Sequence, residues 1–336
     1  MQTPLPVNDA ETPEQLQATA VPSRIPVGLG RENPMNGLET ISLKNWNVRV
    51  LDIVRGTEAW ERIRDANQFN NPPPDAWTYV LIQYHLQRKG KSQAESTLGL
   101  HLTGNANILH YSFNNSVVPP APVLDNYLIG GETSQGWKAY LIREDEGDLM
   151  LVIDDLSDYD EPDYFARLDE NARLIVPEPL EAIEATTAGR EANDPVPFGQ
   201  IATSEDWQIG VKQVERGYEA QAKVQELNRL NEPAATGQIY LLVKVGVRYI
   251  GSDSQGALVS SSDFDVVDND NELVGATPVS GLEPHFPFVK LYPDGEYEGW
   301  LAFLVNSGDE SLVLTFNAGY LEDGNRRYLS LQPSGR

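Results

Sequence analysis

The stretch Trp46-Asn-Val-Arg-Val-Leu-Asp-Ile-Val-Arg-Gly-Thr-Glu-Ala-Trp60, followed by Asn67-Gln-Phe-Asn-Asn-Pro72 and Tyr79-Val-Leu81, recurs later in the same chain. The second copy reads Trp207-Gln-Ile-Gly-Val211, Arg216-Gly-Tyr-Glu-Ala220, Asn228-Arg-Leu-Asn-Glu-Pro233 and Tyr240-Leu-Leu242. Between 46–90 and 207–251, aligned without a gap, 12 of 45 residues are identical. The period of 161 residues far exceeds a solenoid repeat, so the chain contains two tandem copies of one domain.

Both copies alternate apolar and polar residues with the period of two that is typical of β-strands. The alternation is clearest over 240–249 and its counterpart 79–88, and it recurs near the end of each copy. Turn signals such as Gly130-Gly131 and Asp294-Gly295 separate the alternating runs. Many short alternating strands in each copy predict an all-β fold of two antiparallel β-sandwiches.

One segment in each copy departs from this alternation. Residues 57–66 contain neither Gly nor Pro, and they place Ala59, Trp60 and Ile63 at helical spacing. This pattern predicts one short helix between the early strands, docked on the sheet and ended by Asn67 in a left-handed cap. The corresponding apolar residues of the second copy are Ala220, Val224 and Leu227.

Composition excludes several classes of function. The 336 residues carry a formal net charge of -25, which would repel nucleic acid and anionic bilayers. The chain has no cysteine, so disulfides, thiolate metal sites and cysteine nucleophiles are excluded. No apolar run is long enough to span a membrane, and residues 1–30 show no signal-peptide pattern.

The chain divides into four parts by composition. Residues 1–34, rich in Pro, Thr, Gln and Ala, are predicted to be a flexible tether, compatible with an N-terminal anchor outside this chain. The first domain is assigned to 35–177 and the second to 195–336. The acidic, Ala-rich residues 178–194 are interpreted as a linker with one helical turn near 180–185.

The repeated order Trp-x-Val-x-Val, Arg-Gly-x-Glu-Ala, Asn-x-Phe-Asn-x-Pro-Pro and Tyr-Val-Leu-Ile resembles a known family. It is similar to the bacterial extracellular Ig-like family called domain of unknown function 4352, whose members share the fold of immunoprotective antigens and often occur in secreted proteins and lipoproteins. The second copy departs from the pattern at Leu230 and Ala234. The resemblance implies two tandem Ig-like β-sandwiches and a bacterial extracellular or cell-surface location, but no activity.

Ten repeated polar and proline residues have two interpretations. At the strand–helix corner, an Arg–carboxylate pair or a carboxylate near the helix amides would stabilise the turn, and Asn side chains can bond the following loop. The alternative is a shared ligand site in each domain. The residues are Arg55, Glu58, Asn67, Asn70 and Pro72, with Arg216, Glu219, Asn228, Asn231 and Pro233.

No catalytic motif is apparent. The four histidines, His85, His101, His110 and His285, lack the paired spacing of zinc ligands. The chain contains neither a Gly-x-Ser-x-Gly elbow nor a phosphate-binding glycine loop. We therefore predict a protein without catalytic residues or an organic cofactor.

Two acidic clusters are candidate calcium sites. Asp265, Asp268 and Asp270 alternate before a turn, and residues 154–163 form an acidic insertion relative to the second copy. Calcium prefers six to eight oxygen ligands, although neither cluster follows the EF-hand pattern. The alternative interpretation is that both clusters are solvated loops.

Trp77 is a candidate partner-binding residue. It follows a run of three prolines and corresponds to Gln238 rather than to Trp in the second copy. A loop Trp beside prolines can stack on a sugar or contact a protein partner, or it can fold onto its own prolines.

These observations predict a non-catalytic extracellular or cell-surface protein that acts in adhesion, assembly or partner recognition. Its partner would be a protein or cell-surface component, or further copies of the chain joined by strand addition. One alternative is a sensor or accessory module that binds a small molecule or carbohydrate between the domains. Another is a hydrolase that uses an Asp/Glu pair.

Overall fold

The computed structural model describes residues 25–158, 160–175, 183–318 and 323–332. The first copy contains β1 (Met35–Asn36), β2 (Ile41–Ser42), β3 (Trp46–Arg55), α1 (Thr57–Ala66), β4 (Trp77–Arg88), β5 (Ser96–Thr103), β6 (Ile108–Tyr111), β7 (Tyr127–Leu128), β8 (Thr133–Arg143), β9 (Met150–Asp155) and β10 (Tyr164–Arg167). The second copy contains β11 (Ile201–Thr203), β12 (Trp207–Arg216), α2 (Tyr218–Leu227), β13 (Gln238–Tyr249), β14 (Ala257–Val259), β15 (Phe264–Val267), β16 (Leu273–Gly275), β17 (Val289–Leu291), β18 (Glu296–Asn306), β19 (Val313–Phe316) and β20 (Arg327–Ser330).

Each copy forms a sandwich of antiparallel sheets. In the first copy the sheet β2-β3-β4-β8 faces the strands β10-β9-β5-β6, and in the second copy β11-β12-β13-β18 faces β16-β15-β19-β20. Alternate residues of the paired sheets fill the two main cores, where Trp46 and Trp207 are buried at equivalent positions. The predicted all-β fold class, with one short helix per copy between early strands, is confirmed.

The repeat extends to backbone irregularities. A bulge interrupts β3 between Val50 and Asp52, and β12 has the same bulge between Val211 and Gln213. Gly56 and Gly217 precede the helices with φ of 73° and 70°, a conformation that favours glycine. Two copies that share bulges and turn geometry are structural duplicates of one domain.

The helices have the predicted place, with two corrections. Ala59 and Ile63 are buried against the outer face of the first sheet, as are Ala220 and Val224 in the second. Leu227, predicted to dock, is 38% exposed. Asn67 ends α1 in extended rather than left-handed backbone, because the chain turns directly into the loop that follows.

The two domains share one sheet. Strand β6 of the first copy pairs antiparallel with β17 of the second, with Leu109 opposite Lys290 and Ile108 opposite Leu291. Ile108 lies in the core of the second domain, and Tyr292 is fully buried against Leu109 and Phe165 of the first. Because backbone pairing and side-chain packing both cross the junction, the relative position of the domains is fixed.

Parts of the predicted tether and linker pack against the domains. Residues 1–24 of the tether lie outside the described part, but Arg31 is buried, donates to Gly104 O and Asn107 Oδ1, and stacks on the Tyr292 ring. Residues 176–182 of the linker also lie outside it. Residues 183–185 are not helical, and Thr186 N–H donates to Thr203 O at 2.9 Å.

Candidate functional site

The repeated asparagines stabilise the loop after each helix. Asn70 Nδ2 donates to Ile63 O at 2.8 Å and Val118 O at 2.9 Å, while Val118 N–H donates to Asn70 Oδ1 at 2.8 Å. Asn231 makes the same three bonds, to Val224 O at 2.8 Å, Ser280 O at 3.0 Å and Ser280 N–H at 2.9 Å. These bonds occupy both asparagine side chains, which favours the structural interpretation of the motif over a ligand site.

The remaining motif residues also act on the backbone. Asn67 and Asn228 accept the N–H two residues on, at 3.1 Å and 2.9 Å. Exposed prolines follow at Pro72 and Pro233.

The repeated arginines do not pair with the repeated glutamates. Arg55 Nη2 donates to Glu144 O at 2.8 Å, and Arg216 Nη2 donates to Asp309 O. The carboxylates Glu58 and Glu219 lie in the first turns of the helices, where negative charge is favourable, and Glu58 pairs with Arg62. The predicted Arg–carboxylate pair is therefore wrong, because each arginine instead bonds a backbone carbonyl just after the edge strand at the same end of the sheet.

The candidate calcium ligands are not brought together. Asp268 is buried and its Oδ1 accepts the N–H groups of Asp270 and Glu272, at 2.9 and 2.8 Å, which makes it a turn residue. Asp265 lies within β15, where burial raises the pKa of its carboxyl. In the described ranges no group of three or more His, Asp or Glu side chains could hold a metal ion. The predicted site at Asp265, Asp268 and Asp270 is thus corrected to a turn.

The acidic insertion has protein partners. Asp158 and Glu161 contact the ammonium group of Lys44, at 3.0 and 2.8 Å. Asp163 pairs with Lys290 of the second domain at 3.1 Å. The insertion therefore stabilises the first domain and its junction with the second.

Two of the histidines are buried beside the junction. His110 Nε2 lies 2.7 Å from the buried Glu146 Oε2. Burial lowers the pKa of His101 to about 3, with smaller contributions from Lys138 and Lys290. Among the described residues neither histidine belongs to a group of three or more His, Asp or Glu side chains that could hold a zinc ion.

The sequence left two interpretations of Trp77, as an exposed loop residue that contacts a partner or as one folded onto its own prolines. In the structure Trp77 lies at the domain junction. It begins β4, is partly buried, and its ring centroid lies 5.8 Å from that of Tyr297 in the second domain and 6.2 Å from that of His110 in the first. It also lines a cleft.

The cleft lies between the two domains and has a volume of about 700 Å³. Its floor is the outer face of strands β12, β13 and β18 in the second domain, beyond the end of the sheet that α2 covers. Its wall is formed by residues 74–77 and Arg143 of the first domain. A concave site of this size at a domain interface is the usual position of a small-molecule site.

Charged side chains surround the floor. Lys244 pairs with Glu298 at 2.5 Å, and Arg248 Nε donates to Asp294 Oδ1 at 2.7 Å and lies 3.6 Å from Glu296. Lys212 lines the cleft and takes part in no ion pair or hydrogen bond within the described part of the chain. At the centre of the floor, Gly210 and Gly246 face each other on adjacent strands.

Sequence reasoning missed the cleft residues Lys212, Gly210 and Gly246. The alternation pattern placed Gly246 on the polar face of its strand, opposite the core. Aligning the two copies could have drawn attention to the glycines, because the first copy has Arg49 and His85 at the positions of Gly210 and Gly246.

Residues 196–326 match the family described as Domain of unknown function (DUF4352). The DUF4352 match confirms the resemblance seen in the sequence over nearly the whole second domain. No curated protein matches the chain.

Several solved structures align with part of the chain, at low identity. A candidate lipoprotein of Bacillus subtilis, YcdA, is 18% identical with a TM-score of 0.33, and the alignment covers 40% of this chain and 39% of that one. YjhA of Bacillus subtilis is 13% identical with a TM-score of 0.31, covering 41% and 99%. An uncharacterized β-sandwich protein of Clostridium difficile is 15% identical with a TM-score of 0.27, covering 46% and 99%.

Neither the DUF4352 domain nor the rest of the described chain contains a helix long and apolar enough to cross a membrane.

Proposed function

We propose that this protein is a non-catalytic extracellular or cell-surface recognition protein that binds a small ligand in the cleft between its two domains. The observation that carries the proposal is the cleft itself, which has a volume of about 700 Å³. The second domain forms its floor and the first domain forms its wall. Ligand sites of roughly 300–1,000 Å³ bury most of a small molecule and orient it with few polar groups.

The junction supports this role because it holds the cleft open in one geometry. The shared β6–β17 pairing and the buried Tyr292 ring fix the floor relative to the wall. A preformed site loses less conformational entropy on binding than a flexible one.

The character of the cleft favours binding over hydrolysis. Glu296 and Glu298 are exposed and serve as ion-pair partners of Arg248 and Lys244. A general acid in a hydrolase needs a desolvated carboxyl group, whereas the other two acids that line the cleft, Asp75 and Glu283, are also exposed. None of the four histidines lines the cleft. The extracellular location rests on the family resemblance alone.

A thermal-shift panel of monosaccharides, sugar acids, amino acids and small aromatic acids tests this proposal. Binding raises the melting temperature by mass action. The matched variant Gly246→His installs the residue that the first copy has at the same strand position, which that strand accommodates. We expect at least one compound to stabilise the wild type and not the variant. No shift with any compound, or equal shifts in both proteins, would overturn the proposal.

A second candidate role, docking of a protein partner, is favoured by one repeated feature. Phe69 and Leu230 occupy the same position after each helix and are 81% and 88% exposed. The loops that carry these apolar side chains are stabilised by Asn70 and Asn231. An exposed apolar side chain on an ordered loop is suited to contact with a protein partner. Light scattering of concentrated protein should show association that Phe69→Ser with Leu230→Ser removes; a concentration-independent monomer would exclude self-assembly through these residues.

A further inference from the structure

The floor of the cleft contains a cross-strand pair of glycines. Gly210 of β12 lies directly opposite Gly246 of β13, in the interior of both strands. Glycine in a strand interior is unfavourable, because it loses more backbone entropy on folding and offers no side chain to pack. Two such residues in register therefore need a reason.

The fold itself does not supply that reason. Neither glycine has the positive φ that other residues avoid. A Cβ at Gly210 would meet its nearest atoms, Gln200 O and Ile201 Cγ1, at the ordinary distances of 3.7 and 3.8 Å. A Cβ at Gly246 would lie 2.9 Å from Lys212 Cε, which is near the end of a flexible side chain.

Two other strand glycines, Gly136 and Gly299, are required by the fold because a Cβ would not fit there. A Cβ at Gly136 would lie 2.4 Å from Leu124 N, and one at Gly299 would lie 2.8 Å from His285 O. Backbone atoms crowd these two positions, so only glycine fits. No such crowding exists at Gly210 and Gly246, and the first copy carries Arg49 and His85 there. The glycine pair is thus a feature of the second domain that folding does not demand, although Gly210 is buried and the flexible Lys212 side chain lies over Gly246.

Both signs of charge line the cleft, with Asp75 and Glu283 among the acids, and the floor itself carries one cation without an ion-pair partner among the described residues. Lys244 and Arg248 are neutralised by Glu298, Asp294 and Glu296, whereas the exposed Lys212 reaches over Gly246 without an ion-pair partner among the described residues. In a chain of net charge -25, an unpaired cation in a concave site attracts a negatively charged group. The backbone amides of the floor are engaged in strand pairing, so they offer no nest for a phosphate.

We propose that the cleft binds a carboxylate carried on a six-membered ring, with one face of the ring against the Gly210–Gly246 floor and the carboxylate at the Lys212 ammonium group. Because the two glycines carry no side chains, the floor leaves room for one face of a ring once the flexible Lys212 side chain moves aside, and the Trp77 indole lines the same cleft. One ammonium group matches the single charge of a carboxylate. This assignment rests on the proposed binding function and adds the chemistry of the ligand.

Calorimetric titration of the full chain with D-glucuronate and with benzoate tests the assignment. D-glucose and benzyl alcohol are the neutral counterparts of each acid, so the two arms separate a sugar acid from an aromatic acid. We expect one acid to bind at least about tenfold more tightly than its neutral counterpart, a difference of about 1.4 kcal/mol. We expect Lys212→Gln to remove that difference. Lys91→Gln, which removes another exposed lysine far from the cleft, should leave it unchanged.

The glycine floor is tested by Gly210→Ala combined with Gly246→Ala. This variant should keep the wild-type melting temperature or exceed it while losing at least about tenfold in affinity for the acid that binds. Neutral and acidic probes binding equally, neither acid binding, or full affinity in the double variant would overturn the assignment. If other compounds of the thermal-shift panel stabilise the wild type but not Gly246→His, the cleft is still the binding site, and only the assignment of a ring carboxylate as its ligand is wrong.

Discussion

At the scale of single residues, Asn70 and Asn231 explain why the repeated motif is retained in both domains. Each side chain satisfies one carbonyl of its helix and both polar groups of a distant residue, Val118 or Ser280. A backbone group near the core that loses its hydrogen-bond partner destabilises the fold more than the bond itself stabilises it. The motif is therefore a connection between helix, loop and opposite sheet.

Replacement of Asn70 by Ala should lower the free energy of unfolding by about 2–3 kcal/mol, because three hydrogen bonds are lost and two carbonyls are left without their donor. Asn67→Ala, which removes one exposed bond, should cost less than about 1 kcal/mol. Urea unfolding measures both values. Equal effects of the two substitutions would show that Asn70 has no special role.

Replacing two strand glycines by alanine should change the stability of the protein in opposite directions. Gly210→Ala should leave stability unchanged or raise it by about 0.5–1 kcal/mol, because alanine has less backbone entropy to lose. Gly136→Ala should destabilise by at least about 2 kcal/mol, because its Cβ would lie 2.4 Å from Leu124 N. Thermal unfolding distinguishes the two. A destabilised Gly210→Ala protein would mean that the fold requires this glycine.

Acid should destabilise the protein in part through His101. Its folded-state pKa of about 3 lies below the ordinary value of 6.5, so the unfolded chain binds the proton more tightly. The stability that the neutral ring confers is complete above about pH 6.5 and is lost as the pH falls towards about 3. His101→Gln should reduce the loss of stability between about pH 7 and 4 by about 2–3 kcal/mol. Unfolding curves at both pH values measure this difference. Parallel pH profiles of variant and wild type would contradict the assignment.

At the scale of elements, the sequence predicts what is local and periodic. The helix at residues 57–66 and the strands over 46–55 and 240–249 follow from residue spacing, because one face of each must be buried. The β6–β17 pairing was not predictable, since both strands are short and come from different copies. Trp77 was misplaced for the same reason: nothing in its local sequence indicates that the second domain covers it.

Only part of the cleft could be predicted from the sequence. An interdomain site was one stated alternative, but its floor depends on which side chains are missing in the second copy. The alignment of the two copies shows that Gly246 takes the place of His85. That Gly246 pairs with Gly210 across the strands, and that Lys212 has no ion-pair partner among the described residues, could be seen only in the structure. The acidic pattern at Asp265, Asp268 and Asp270 misled because turns and metal sites use the same residue types.

The β6–β17 junction should make the two domains unfold together. Tyr292 is buried against Leu109 and Phe165 of the first domain and under the Arg31 guanidinium. Tyr292→Ala should destabilise by about 3–5 kcal/mol through the cavity it leaves and split one calorimetric transition into two. Phe288→Ala, at a half-exposed ring of the same segment, is the matched control and should retain one transition. Two transitions in the wild type would mean that the junction does not couple the domains.

At the scale of the whole molecule, duplication and divergence account for the cleft. Two similar sandwiches share a sheet, and the outer face of one becomes a floor beneath a wall contributed by the other. The net charge of -25 keeps anions away from most of the surface, so a local cation such as Lys212 has a strong effect on what enters.

The most direct test of the cleft as the binding site uses the absence of cysteine from the chain. Asp75→Cys introduces one thiol on the wall of the cleft and leaves the glycine floor intact, and Lys91→Cys introduces one on a distant loop as the control. The rate of alkylation by iodoacetamide is measured with and without the compound that gives the largest thermal shift. We expect this compound to slow labelling at position 75 and not at position 91; equal rates at position 75 with and without the compound would contradict the cleft as the binding site.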